Sequence, residues 1–186
     1  MMRFYCPKLL FFIFCMAIGF LPALNADAYT LKTGDQMLRA FMGGSTNFMR
    51  YEVVTKDTPP SAFLTGLNYE YALDGPWNVV GSFAPGFADG FIDARIGGGG
   101  KYRFNQLEMP LVPYGEAQMV LALGIPTRYQ QEHINLGLRT AAGVDYFVMR
   151  QLSVGLELGW EVSGLLTPEI AAEMSAEGLL FLGWKF

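Results

Sequence analysis

From Leu152 to Val162 apolar and polar side chains change places at every step. Leu152, Val154, Leu156, Leu158, Trp160 and Val162 fall on one side, and Ser153, Gly155, Glu157, Gly159 and Glu161 on the other. A period of two over that length predicts a strand with one apolar and one polar face. Ile134 to Val148 repeats the pattern less strictly, with Ile134, Leu136, Leu138, Val144, Tyr146 and Val148 opposite Asn135, Arg139 and Asp145. Leu180, Leu182, Trp184 and Phe186 alternate with Glu177, Leu179, Phe181, Gly183 and Lys185, a less clean second face. Phe63 to Leu73, Ile92 to Gly97 and Gln118 to Leu123 alternate in the same way. Gln36 to Gly44 and Trp77 to Phe83 are weaker candidates whose phase the pattern leaves open. Eight strands are predicted.

Alternation alone does not tell a membrane barrel from a soluble one, because the two differ only in the direction of the apolar face. Three features favour the membrane. The segments run to about ten residues, the length at which a tilted strand crosses a bilayer. Trp77, Trp160 and Trp184 lie at or near strand ends, as do Tyr102, Phe104, Tyr114 and Tyr146, where interfacial aromatic girdles belong. Connections also alternate in length. Ser45–Ala62 and Ser163–Ala176 are long, and Asp74–Pro76 and Met149–Gln151 are tight, the expected rhythm of external loops and periplasmic turns. Asn105–Pro113 is long for a turn, and Ala84–Gly90 is short for an external loop.

Composition agrees with one apolar domain: 52% hydrophobic, 15% aromatic and 16% charged residues, with 22 glycines, in a chain of 186. A net charge of −4 excludes nucleic acid as the main partner. Arg3 and Lys8, the apolar run Leu9 to Ala23, and Ala26-Asp27-Ala28 form basic, apolar and cleavage regions in the order of a secretory signal peptide. The predicted division is therefore a signal peptide at 1–28 and a barrel domain at 29–186. Cleavage removes both cysteines, Cys6 and Cys15, and shifts the net charge to −5, since Arg3, Lys8 and Asp27 depart. Lipidation at Cys15 is disfavoured, because Ile13-Phe14 precede it where small residues are needed.

The segments Ala142 to Val148, Leu152 to Trp160 and Leu180 to Phe186 resemble the small outer-membrane β-barrel family typified by the OmpA membrane domain and OmpX, and the resemblance spans the mature chain. It implies an all-β, eight-stranded antiparallel up-and-down transmembrane barrel in the cell outer membrane. It further implies outer-membrane lipid and lipopolysaccharide as surroundings. The terminal Phe186, with apolar or aromatic residues at alternate positions before it, is similar to the signal read by the outer-membrane assembly machinery. No peptidoglycan-binding domain is expected after Phe186.

If the apolar faces meet lipid, the polar faces fill a narrow lumen. The predicted inward charges are Arg39, Arg95, Lys101, Arg139 and Lys185 with Glu70, Asp93, Glu116, Asp145, Glu157 and Glu161. Such charges must pair, because an unpaired charge removed from water is costly. A plugged lumen with an ionic core is expected over an open pore.

Catalytic signals are weak. The single histidine, His133, has Glu132 and Thr140 nearby in sequence. Outer-membrane lipid A deacylases of similar architecture carry a serine two residues after their histidine, where this chain has Asn135. Nucleophilic catalysis needs that hydroxyl as well as a base. Glu157 with Glu161 are better read as network partners than as an acid–base pair. Gly97–Gly100 before Lys101 lacks the Ser or Thr of a phosphate loop, because Tyr102 follows, and the glycines serve a bend or make room in the lumen. Thr167-Pro168-Glu169 opens a stretch with helix-start signals, predicting one or two helical turns up to Met174. Arg50, Glu52, Lys56, Asp57 and Pro59-Pro60 make the first external connection polar and the best place to meet a partner outside the cell. With one His and no mature Cys, no metal-ligand spacing is present. No catalytic residue, metal ligand or cofactor is assigned. The expected role is structural or surface-interacting, and its rivals are a lipid A-modifying enzyme, a narrow channel and a soluble ligand-binding barrel.

Overall fold

Each period-two segment lies within a strand longer than the pattern alone delimits. The computed structural model describes residues 31–51, 61–88, 90–104, 111–126, 133–165 and 172–186. The strands are β1 Gln36–Tyr51, β2 Ser61–Ala72, β3 Trp77–Ala88, β4 Phe91–Arg103, β5 Leu111–Pro126, β6 His133–Phe147, β7 Leu152–Leu165 and β8 Ala172–Lys185. Each runs antiparallel to the next, and β8 pairs with β1 to close the barrel. At the seam Phe186 N–H donates to Gln36 O at 3.0 Å, so closure reaches the last residue. A closed sheet leaves no edge, the condition for strands to cross lipid.

The apolar faces point outward. Val154, Leu156, Leu158, Trp160 and Val162 are exposed, while Ser153, Glu157 and Glu161 between them are buried. β1 and β3, whose phase was open, now have one. Met37, Arg39 and Phe41 point in with Leu38 and Met42 out, and Asn78 and Val80 point in with Trp77, Val79 and Phe83 out. A soluble barrel that binds a ligand inside has the opposite pattern, so this exterior belongs in lipid.

The start of β1, the end of β8 and the strand ends that flank 73–76, 104–110 and 148–151 share one end of the barrel, here the turn end; the opposite strand ends form the loop end. Gly75 takes a positive φ of 64° in the first turn, where Leu73 N–H donates to Trp77 O at 2.9 Å. Trp77, Tyr102 and Phe104 pack edge to face near the turn end, each ring centroid 5.0 Å from the next, and Trp184 lies at the same end. Half of the aromatic girdle is therefore in place. Tyr114 is a correction: it points into the lumen and is 2% exposed.

Several boundaries also move. β3 and β4 continue to the pair Ala88↔Phe91, leaving only residues 89 and 90 between them. Gly90 has φ 74°, and the sequence Asp89-Gly90 is a strong two-residue hairpin signal, so this loop-end connection is a tight turn. The helical turns predicted up to Met174 give way to strand from Ala172, because Ala172, Glu173 and Met174 pair with both β1 and β7. Ladder pairing on two sides outweighs local helix propensity. Residues 166–171 lie outside the described residues, as do the signal segment 1–28 with Cys6 and Cys15, and Glu52, Lys56, Asp57, Pro59 and Pro60.

Gly97 to Gly100 stay in unbroken register with β3 and β5, so they form neither a bulge nor a loop. Their alternation is steric. A Cβ on inward Gly99 would meet the backbone of Ala117 and lie 2.7 Å from Gln118 Cα, while on outward Gly98 its nearest neighbour is 4.0 Å away. Gly99→Val is expected to destabilise the barrel by about 1–3 kcal/mol or block its folding, whereas Gly98→Val keeps wild-type stability; urea unfolding in phospholipid vesicles measures both. Leu158→Arg, on the lipid face midway along β7, is expected to cost about 2–4 kcal/mol by the same assay.

Candidate functional site: the charged lumen

Alternation sends every second residue of all eight strands to the axis, so charges distant in sequence meet there. Arg39 on β1 donates to Glu70 on β2 at 3.1 Å, to Asp145 on β6 at 2.7 Å and to the Tyr114 hydroxyl on β5 at 2.8 Å. Arg103 on β4 bridges the same two acids, at 2.6 Å to Glu70 and 2.7 Å to Asp145. Lys101 binds Glu70 and, at 2.9 Å, Glu116. Tyr114 donates onward to Glu157 at 2.7 Å. Arg39, Lys101, Arg103, Glu70, Asp145 and Glu157 are each at most 1% exposed.

Toward the loop end, Arg139 joins Glu157, Glu116 at 3.0 Å and Glu177 at 2.7 Å. Arg95 holds Asp93 at 2.5 Å, Glu161 at 3.0 Å and Glu177 at 2.9 Å. Five cations thus face seven carboxylates. Rings add a second kind of support: the Arg39 guanidinium lies 3.8 Å from the Phe181 centroid, and Lys101 Nζ lies 4.3 Å from that of Tyr114.

Ten of the eleven predicted inward charges belong to this network, and Lys185 does not. It sits at the turn end and pairs with Asp35 at 2.5 Å. Sequence reading missed Arg103, Glu177 and Tyr114 as members. Extending the β4 alternation two residues past Lys101 would have found Arg103, and Glu177 already stood on the inward face of β8. Tyr114 carried only the signal of an aromatic near a strand end, which suits a girdle equally well. The lumen is also less purely ionic than predicted. Met37, Val112 and Phe147 cluster at the turn end, and Phe41, Leu64, Leu179 and Phe181 form an apolar wall packed with Ala84. Phe41, Leu64, Ala84 and Leu179 of that wall border a cavity of about 30 Å³, also lined by Asn68, Arg95, Arg139, Glu161 and Glu177.

The other candidates are not assembled. His133 opens β6 opposite Gly124, and Thr140 lies seven residues further along the same strand on the lipid face. At about 3.3 Å per residue that separation is roughly 23 Å, and Glu132 lies outside the described residues. Glu157 and Glu161 each face a guanidinium instead of sharing a proton. Among the described residues no group of three His, Cys, Asp or Glu is placed to hold a metal ion.

This combination of apolar exterior, closed eight-stranded sheet and ion-paired interior is that of an outer-membrane β-barrel. The solved structures agree on the fold. Neisserial surface protein A superposes with a TM-score of 0.65 at 15% identity, over 82% of this chain and 97% of that one. The N-terminal β-barrel domain of Pseudomonas aeruginosa OprF gives 0.57 at 18%, over 84% and 100%. Ail, the attachment invasion locus protein of Yersinia pestis, solved with the heparin analogue sucrose octasulfate, gives 0.51 at 17%, over 84% and 100%. No family model and no curated protein matches the sequence.

Replacing one member of the network leaves its partners buried and charged. Asp145→Leu, which strips Arg39 and Arg103 of a shared acid, is expected to cost about 3–5 kcal/mol. Equilibrium unfolding in vesicles, with the folded and unfolded bands separated by unheated electrophoresis, measures the loss.

Proposed function

We propose that this protein is a structural or surface-interaction barrel of the cell outer membrane, with a plugged lumen and no catalysis. The observation that carries the reading is the lumen itself. Arg39, Lys101, Arg103, Glu70 and Asp145 are buried and cross-linked in its turn-end half, and Met37, Val112 and Phe147 cap the turn end. Eight strands leave an interior only wide enough for side chains to fill it. On this reading the signal peptide, 1–28, exports the chain, and the strand ending at Phe186 presents it to the assembly machinery. The lipid-facing stripe then holds the barrel among phospholipid and lipopolysaccharide. Recognition falls to the external connections, the first of which carries Glu52, Lys56 and Asp57, while Arg50 is drawn into the end of β1. Neisserial surface protein A is a surface protein by name, and Ail, an attachment invasion locus protein by name, was solved with a heparin analogue, which supports an outward-facing role on the same scaffold.

The enzyme rival requires His133 and a hydroxyl to converge, and the separation of His133 from Thr140 along β6 speaks against that pair. Deleting the gene is expected to leave the acylation pattern of lipid A unchanged in mass spectra; a shifted pattern overturns the non-catalytic reading. Refolded protein in planar bilayers is expected to give no steady unit conductance. Regular steps that change when Arg139 is replaced would favour the channel instead.

A further inference from the structure

β2 and β3 keep one register on either side of a gap. Leu64 pairs with Gly86 and Leu67 with Phe83, yet Thr65 and Gly66 do not pair with Pro85 and Ala84 between them. Among the described residues the other seven ladders run without such a gap, apart from the shift between Asn47 and Met49 on β1. The cause is Pro85. Leu73 N–H donates to Trp77 O at 2.9 Å, and antiparallel pairs exchange both hydrogen bonds at every second step, which puts Thr65 and Pro85 in such a position. The carbonyl of Phe83 turns toward β2 in keeping with that phase, since a Cβ on Gly66 would meet it. Pro85 has no N–H and gives nothing to Thr65 O. The Thr65 hydroxyl is engaged elsewhere, donating to Phe41 O at 3.1 Å. Behind the gap the lumen wall is Phe41, Leu64 and Ala84, whose side chains carry no donor. A backbone acceptor without a donor at membrane depth is costly.

A second observation lies on the lipid face. The cross-strand pairs Phe63–Phe87 and Leu67–Phe83 are exposed and stand on either side of Thr65 and Pro85, which are half-buried. They wall a slot that spans about 13 Å along β2. Pro85 lies eight residues beyond Trp77 on β3, roughly 20 Å up an apolar band about 25 Å tall at the usual strand tilt. That level is just beneath the loop-end interface, where the first polar group on a lipid chain lies. We propose that this slot docks one acyl chain of an outer-leaflet lipid that carries a hydroxyl near its head, the class to which the β-hydroxyacyl chains of lipopolysaccharide belong, and that this hydroxyl donates to Thr65 O. Phe63, Phe87, Leu67 and Phe83 hold the chain from both sides. An acyl chain without the hydroxyl fits the same slot but leaves Thr65 O unserved.

The site rests on the barrel's placement in the outer membrane, but the two fail separately: a chain that stays out of vesicles breaks that placement, while the following experiment addresses the hydroxyl alone. The barrel in detergent is titrated with β-hydroxymyristate and with myristate, which share head group and chain, and the bound species are counted by native mass spectrometry. The hydroxy acid is expected to bind about 3–10-fold more tightly. Pro85→Ala supplies the missing N–H and is expected to bring the two affinities together, and Pro85→Val serves the same purpose if that variant fails to fold. Pro113→Ala, on the same lipid face near the turn end, is expected to keep the preference. Equal affinities in the wild-type barrel overturn the site. A preference that survives replacement of Pro85, or that is lost with Pro113, overturns it as well.

Discussion

Everything in this molecule follows from one constraint: a backbone in lipid must satisfy its own hydrogen bonds, and among sheets only a closed one does so. Closure of β8 on β1 meets that condition. It also dictates the side chains. Period two gives each strand an exterior set that contacts acyl chains and an interior set that never does. With eight strands the interior is too narrow for bulk water, so whatever points inward has to find partners there.

The inward residues meet that demand in two ways. Arg39 and Arg103 share Glu70 and Asp145, and Lys101 joins Glu70 and Glu116, so that none of the three depends on one acid. Tyr114 ties the two halves of the network, accepting from Arg39 and donating to Glu157. Elsewhere the lumen excludes charge, with Phe41, Leu64, Leu179 and Phe181 on one wall. Glycine supplies the space: a Cβ on Gly143 would lie 2.5 Å from the Tyr114 hydroxyl, and one on Gly155 would meet Asp145. Large ionic groups on some strands are thus matched by missing side chains on their neighbours. Strand pairing, core packing and plugging are one arrangement described at three levels.

The fold was legible in the sequence because period two is local and repeats in strand after strand. Most of the charged lumen was legible for the same reason, since once the lipid face is chosen the opposite face is fixed. What stayed hidden depends on three dimensions. Whether Tyr114 faces lipid or axis turns on phase near the start of β5, where Pro113 and Gly115 flank it and give no apolar contrast. The apolar wall was hidden because Phe41 and Phe181 look like lipid-facing residues until both neighbours are placed. The strand at Ala172–Met174 was masked by helix-start residues just before it, and only pairing with β1 and β7 decides it.

Aliphatic side chains of β7 meet lipid while their neighbours along the strand meet the axis. The most direct measurement uses single cysteines at Leu156 and at Ser153, the latter 1% exposed, introduced into residues 29–186, which contain no cysteine. Each is labelled with an environment-sensitive fluorophore, under denaturing conditions for Ser153→Cys before refolding, and incorporated into vesicles of brominated phospholipid. Strong quenching is expected at position 156 and little at position 153. Equal quenching at both, or stronger quenching at 153, would contradict it.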